Sequence, residues 1–565
     1  MIRKALVLST IAVLMILVVS VLQAETETVE QPSIIFVKQT PVDHTGGTIA
    51  DIFTNIQGTN PREDQPVGGG LFRLDADGTL TNLTESFGQV AVRDPEISFD
   101  ATRVIFSMKI GALGVWDIYE MRVDGTEVRK ITNGQANSWD PAYLSDGRIV
   151  YLSDALDLIA RRNQNLPDSH LSEGRVYVMN ADGSNAQPIN FNPNGSFNPL
   201  LSQSGQIIFT QWDLRDLRPN PTAPPDGESY SRFLLWEMLV DGSREGHPIF
   251  GAHLVEEFGG GFMEVRELLD GSGNMIGTLT QSLDTFGAGA IVRFTPRGMQ
   301  DAQTYDYLTP STTYSAGTTN LNGRYRSPYP LPDGRIMASY ADGAVFNGRG
   351  TPNFDLVILD DEGGHQLLYG DPDFWDWQAV AIVERPAPPI TEPMALDDSV
   401  SYAIVNTMDV ELRNRNADSV VNGDYQPLIE QGTAAYVRIF NLTRPPAPYA
   451  GGNPDDQDNG VRLLGEVPVE SDGSFAAIVP AGGMILWDIV DAEGNVLVTE
   501  RVWQEFAAGE VRTCGGCHTP DEGGGRTTNI ALDNPVNLTG IDVDRDDNGQ
   551  VDLLEAYYEA IGQSE

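Results

Sequence analysis

The chain contains two cysteines, and both fall in the run Cys514-Gly-Gly-Cys517-His518. Two thiols at this spacing can form thioether bonds to the vinyl groups of a porphyrin, with the following histidine reaching the iron from one face. Gly515 and Gly516 permit the tight bend that brings both sulfurs to the ring edge. The pattern therefore predicts one covalent haem c, held by Cys514 and Cys517, with His518 on the iron. Two other chemistries use paired thiols. A redox-active pair needs a helix start after a strand, and the flanking Thr519-Pro-Asp-Glu-Gly-Gly-Gly525 does not read as helix. A structural zinc site needs four ligands, and only two cysteines and one histidine cluster here.

No methionine follows His518, so the second axial position has no partner in the downstream sequence. Met408, Met484, His247 and His253 are the candidates elsewhere, although each reads better as an ordinary residue, the methionines as core filler and the histidines as surface or hydrogen-bonded groups. An open position permits ligand binding or chemistry, and a filled one favours electron transfer.

A second metal motif lies near the C-terminus, in Asp544-Arg-Asp546-Asp-Asn548-Gly549-Gln550-Val-Asp552-Leu-Leu-Glu555. It fits the twelve-position EF-hand loop: oxygen donors at positions 1, 3, 5 and 9, glycine at 6 and glutamate at 12. Calcium would be held directly by Asp544, Asp546 and Asn548, through the carbonyl of Gln550, through water at Asp552, and by both oxygens of Glu555. A helix is expected over 553–561, but none before the loop, where Pro535 and Gly540 stand. An isolated, dockerin-like calcium loop is the result.

Thirty-six Lys and Arg stand against 80 Asp and Glu, for a net charge of -44. A chain this acidic is repelled by nucleic acid and by anionic lipid, which excludes polyanion binding and leaves basic or neutral partners. The first residues, Met1-Ile-Arg-Lys4, precede an apolar run ending at Gln23-Ala24, after which the sequence turns acidic. This predicts an export signal over 1–24, cleaved after Ala24, with an uncleaved membrane anchor as the alternative. The mature protein is expected in the periplasm, outside the cell or on its surface. With both cysteines in one motif, no disulfide framework is available.

The elements that must position these residues are strands. From 32 to 386 the chain repeats a short grammar, as in Asp94-Pro-Glu-Ile-Ser-Phe-Asp, Asp140-Pro-Ala-Tyr-Leu-Ser-Asp-Gly and Asn198-Pro-Leu-Leu-Ser-Gln-Ser-Gly, each followed by an apolar strand. Between the copies runs a second hairpin, as in Ile118-Tyr-Glu-Met-Arg-Val-Asp-Gly125 and Val176-Tyr-Val-Met-Asn-Ala-Asp-Gly183. Alternating strands joined by Asp-Gly turns suit four-stranded propeller blades, and six second hairpins imply six blades. The turn aspartates read as structural. Ile34-Ile-Phe-Val-Lys38 would close the ring against the segment around Trp375.

A Pro-rich linker follows over 387–395, and then strands over 434–440, 462–469, 474–479, 484–490 and 496–502 that suggest a β-sandwich over 396–530. The fold class is thus all-β: a six-bladed β-propeller, a β-sandwich bearing the haem motif, and a calcium loop with helix over 536–565.

The propeller repeats resemble those of TolB-type proteins. With the Pro-rich junction, Gly465-Glu-Val-Pro-Val-Glu-Ser-Asp-Gly-Ser-Phe475 and the ending Ala508-Gly-Glu-Val-Arg-Thr-Cys-Gly-Gly-Cys-His518, the chain resembles the hydrazine synthase alpha-subunit family. The resemblance implies haem attachment at Cys514, Cys517 and His518 in a middle domain of that family. Three functions follow as expectations: an exported redox protein whose haem passes electrons or binds a small ligand, with the propeller docking a protein redox or scaffold partner; a non-catalytic surface interaction protein with a structural or sensing haem; and, by resemblance alone, a haem enzyme of nitrogen chemistry.

Overall fold

The computed structural model describes residues 31–41, 66–155, 174–192, 195–216, 229–243, 248–251, 260–281, 287–296, 305–312, 323–343, 352–391, 396–397, 399–411, 420–421, 424–425, 429–430, 432–442, 461–500, 503–514, 529–544 and 551–554. Among them the structure is almost entirely β.

The first two thirds of the chain fold into four-stranded antiparallel units. One eight-stranded sheet consists of two such units joined by a single parallel pairing of Phe233 with Gly261, which makes six units among the described residues. The N-terminal strand Ile34–Gln39 lies between Gly70–Leu74 and the late strand Trp375–Ala381, so the two ends of this region are sewn into one sheet. Lys38 reinforces the seam. Its ammonium reaches Asp371 at 2.8 Å and Asp376 at 3.2 Å, under the rings of Phe72, Tyr369 and Phe374.

The turn aspartates act as the sequence suggests. Asp77, Asp124, Asp146 and Asp182 each accept the amide two residues on, at 2.9 to 3.0 Å, which fixes the turn before a glycine or the next residue takes up the reversal. The Asp-Pro and Asn-Pro starts do something different. Asp94, Asp140, Asn198, Glu264, Ser327 and Gln378 occupy matching bulges of the innermost strands, all with φ between 50° and 55°. Asp and Asn tolerate this left-handed conformation better than most residues. Side chain then reaches backbone around the axis: Gln378 Oε1 accepts from Asp94 N at 2.8 Å, Asp94 from Asp140 N at 3.2 Å, Asp140 from Asn198 N at 2.7 Å and Asn198 from Glu264 N at 3.0 Å. Glu264 accepts from Ser327 N in turn. This girdle satisfies amides that the bulges free from the ladders. Burial, with the Asp94 charge second, holds the Asp140 carboxyl well above the usual range.

One step beyond the girdle, buried Glu96 binds Arg266 at 2.6 Å and also Arg385, 289 residues away at the start of the Pro-rich segment. Arg385 donates to the carbonyl of Ile97 at 2.8 Å and lies over the Phe99 ring. Farther along, Thr391 donates to Gly205 at 2.9 Å. The segment forms no strand, as its prolines dictate, yet it is fastened to the propeller-like region at both ends.

The remaining strands form a sandwich of two sheets and one separate pair, Val420–Val421 with Asp424–Tyr425. One has the order Val511–Cys514, Tyr402–Thr407, Phe475–Pro480, Val536–Asn537; the other is built on Tyr436–Leu442, Val461–Pro468, Met484–Val490 and Val496–Thr499. Ala403, Val405, Ala477 and Val479 of the first sheet pack against Val437, Ile439, Ile485 and Ile489 of the second. The strands over 402–407 and 511–514 are additions to those expected from the sequence. Among the described residues no helix is long and apolar enough to cross a membrane. The expected export signal lies outside the described residues.

Candidate functional site

Cys514 is the last residue of the edge strand Val511–Cys514, which pairs in parallel with Tyr402–Thr407 so that Cys514 stands opposite Thr407. The amide of Met408 donates to the Cys514 carbonyl at 2.9 Å, which ties the strand end down. Burial pushes the Cys514 thiol above its ordinary range, although the Arg512 charge works the other way. Arg512 is held by Glu510 at 2.7 Å and stacks on Phe506 with 4.4 Å to the ring centre. Cys517 and His518 lie outside the described residues.

The chain returns to the same place at Asn529. Its Nδ2 donates to Oδ1 of the fully buried Asn406 at 2.7 Å, and Asn406 Nδ2 donates to the Arg512 carbonyl at 3.0 Å. Asn529 Oδ1 accepts from Leu532 N at 3.1 Å and starts the short 3-10 helix Ile530–Asp533. Ile530 N and Ala531 N donate to Asp472 and Ser474 at 3.1 and 3.2 Å. Burial opposes the charge on Asp472, but the Ser474 hydroxyl and the amides of Ile530 and Ser474 outweigh it and hold its carboxyl low. The haem-motif segment 515–528 is thereby fixed at both ends on one strand: Thr407 faces Cys514, and its neighbour Asn406 holds Asn529.

Of the four candidate partners for the iron, Met408 is brought beside Cys514 and is half-buried. Met484 is enclosed in a core of Phe440, Leu486 and Trp503, which removes it from the motif. His247 and His253 lie outside the described residues. A cysteine at a strand end, flanking residues Cys514 and Asn529 held on one strand, and the backbone of Met408 alongside fit a covalently attached haem.

Of the span Asp544–Glu555, Asp544 and residues 551–554 are described. The amide of Asp552 donates to the carbonyl of Val543 at 3.0 Å, so the base of the loop is closed next to Asp544. Asp546, Asn548, Gln550 and Glu555 lie outside the described residues, and among those described no three potential ligands converge. Leu553 and Leu554 are buried with Tyr402, Ile404, Ala476, Ile478, Ala531 and Leu532. They cover the outer face of the sheet whose edge strand carries Cys514. Sequence periodicity did not reveal this contact, because both the helix and its partner strands are short apolar runs.

The resemblance read from the sequence is borne out by comparison with known proteins. Residues 416–519 match the family described as hydrazine synthase alpha subunit middle domain. Over 525 residues the chain is 23% identical to hydrazine synthase subunit alpha of Kuenenia stuttgartiensis, covering 78% of this chain and 61% of that one. It thus spans about three fifths of that relative's length. The solved Kuenenia stuttgartiensis hydrazine synthase shares the fold with a TM-score of 0.63 at 18% identity, over 89% of this chain and 71% of that chain. TolB from Acinetobacter baumannii matches with a TM-score of 0.37 at 13% identity, over 62% of this chain and 66% of its own.

Proposed function

We propose, from the premise of a hydrazine synthase alpha-like middle domain, that this chain is an exported monohaem c protein in which Cys514 and Cys517 carry the porphyrin and His518 binds the iron. The observation that carries this reading is the anchoring of segment 515–528 on adjacent residues of one buried strand, Asn406 and Thr407. The haem, once bound, supplies one-electron chemistry or a site for a small ligand.

Met408 supports electron transfer as the primary role. Its backbone is tied to Cys514, and a thioether on the iron favours a filled coordination sphere. The acidic surface and the propeller-like region suit docking of a basic or neutral protein partner. A second reading, nitrogen chemistry at the haem, is favoured by the match of residues 416–519 to a hydrazine synthase domain.

Calcium at Asp544, Asp546, Asn548, Gln550, Asp552 and Glu555 belongs to the same proposal. Closure of the loop base at Asp552 and burial of Leu553 and Leu554 support a role in fastening the C-terminal segment to the haem-bearing sheet.

Spectra of the reduced protein with and without carbon monoxide test the reading, after production alongside a cytochrome c maturation system. Slow or absent binding in the wild type and rapid binding in Met408→Ala are expected. Rapid binding by both proteins assigns the open-site role, and no haem absorption rejects the proposal.

A further inference from the structure

Away from the haem motif, a cleft of about 510 Å³ opens on the outer part of the sheet Arg324–Pro330, Ile336–Ala341, Phe354–Leu359, His365–Tyr369. This volume lies in the range of small-molecule sites. Tyr340 stands opposite Asp355 across one strand pair and Val357 opposite Leu367 across the next, so one face carries aromatic, acidic and aliphatic groups together. The rings of Tyr325, Tyr340 and His365 pack on one another with centroids 4.2 to 5.5 Å apart. Leu367 is 68% exposed at the mouth.

The polar groups of the cleft are mostly acceptors short of donors. Among the described residues Asp355 has no hydrogen-bond donor, and Asn353 Oδ1 is buried without a partner while its Nδ2 is spent on the Asp371 carbonyl at 3.3 Å. Among the described residues Asp342 receives Gly343 N at 2.8 Å and the Tyr340 hydroxyl at 3.3 Å. Room for Asp355 is made by Gly370, where a Cβ would stand 2.4 Å from Oδ1 of the carboxylate. Asn353 Oδ1 is the buried acceptor of the three, and a buried acceptor without a donor is costly in a finished structure and points to a ligand that brings its own.

Among the described residues that line the cleft no cation offsets these carboxylates. His365 shares a 2.6 Å hydrogen bond with the Tyr325 hydroxyl, and burial holds its pKa down, so it is uncharged near neutrality. Burial pushes the Tyr340 hydroxyl up to about 12, which keeps it a neutral ring. Asp360 and Asp342 face His365, and Asp371 faces Asp355 from the adjoining strand end.

We propose that this cleft binds a small organic ammonium ion, with Asp355, Asp342 and Asn353 Oδ1 taking its N–H groups, Tyr340 facing the cation and Val357 and Leu367 covering an alkyl chain. Charge-assisted hydrogen bonds and a cation over an aromatic face both favour such a ligand. The site stands apart from the haem reading and survives its failure.

Titration calorimetry of the full chain with 1,4-diaminobutane, at about 0.15 M salt to screen the acidic surface, tests it. Saturable one-to-one binding is expected, at least tenfold weaker in Asp355→Asn and unchanged in Asp306→Asn, whose carboxylate is 74% exposed elsewhere. Leu367→Lys, on an exposed side chain, should weaken binding similarly and guards against a folding defect in the first variant. Binding should also weaken as pH falls, as His365 gains charge and Asp355 loses it. Equal losses in Asp355→Asn and Asp306→Asn, equal binding of 1,4-butanediol, or no saturation would overturn the proposal.

Discussion

Asn529 donates to Asn406 across 2.7 Å, which brings the residue after the segment bearing Cys517 and His518 onto the strand that pairs with Cys514 before it. Asn406 is fully buried and spends its own amide on the Arg512 carbonyl, so both of its functions are satisfied by residues that flank that segment.

Replacing Asn406 by alanine leaves a buried amide and a buried carbonyl unpaired. Asn406→Ala should lower the stability of the sandwich by about 1–3 kcal/mol, read from urea unfolding monitored by the tryptophans. Protease cleavage between 514 and 529 should quicken in the same variant. Unaltered cleavage would show that the loop base is held by other contacts.

The seam at Lys38 makes stability depend on pH. Burial, although opposed by Lys38, pushes the Asp376 carboxyl up to about 7, while hydrogen bonding to Lys38 holds Asp371 low. An acid whose native pKa is raised binds protons more tightly folded than unfolded, so its contribution is complete below about pH 4 and declines as pH rises to about 7. Asp376→Asn should flatten the fall in Tm between pH 4 and 7, and a slope equal to that of the wild type would contradict the assignment.

Arg385 fastens the Pro-rich segment to Glu96, Ile97 and Phe99. Arg385→Ala keeps Arg266 on Glu96 but loses those ties, for an expected cost of about 1–3 kcal/mol. Small-angle scattering should report a larger maximum dimension for the variant. No change in either would mean that contacts such as Phe191 N to Glu505 at 2.7 Å suffice.

Calcium is expected to stabilise the sheet that carries Cys514, because Leu553 and Leu554 are packed on it. Chelation should lower the Tm of the sandwich and speed hydrogen exchange over 402–407 and 475–480. Glu555→Gln should reproduce the effect without chelator, since the position-12 glutamate supplies two oxygens. Indifference to calcium in both proteins would reject the loop as a metal site.

The strands of the propeller-like region were legible because each carries its own turn signal, with Asp77-Gly78 and Asp124-Gly125 as examples. The girdle was not. Asp94, Asp140, Asn198 and Ser327 precede proline, but Glu264 precedes valine and Gln378 alanine, so the repeat that unites them is conformational. Partners such as Glu96 with Arg266 and Arg385 lie 170 and 289 residues apart, beyond any local pattern. At the candidate site, spacing identified Cys514, whereas its strand pairs in parallel with one about a hundred residues earlier, a connection that no hairpin signal announces. Asn406 and Asn529 carry no motif at all.

The most direct test is the intact mass of the denatured protein after production with a cytochrome c maturation system. The account predicts a single added haem that survives denaturation and disappears in Cys514→Ser together with Cys517→Ser. A wild-type mass equal to that of the unmodified chain would contradict it.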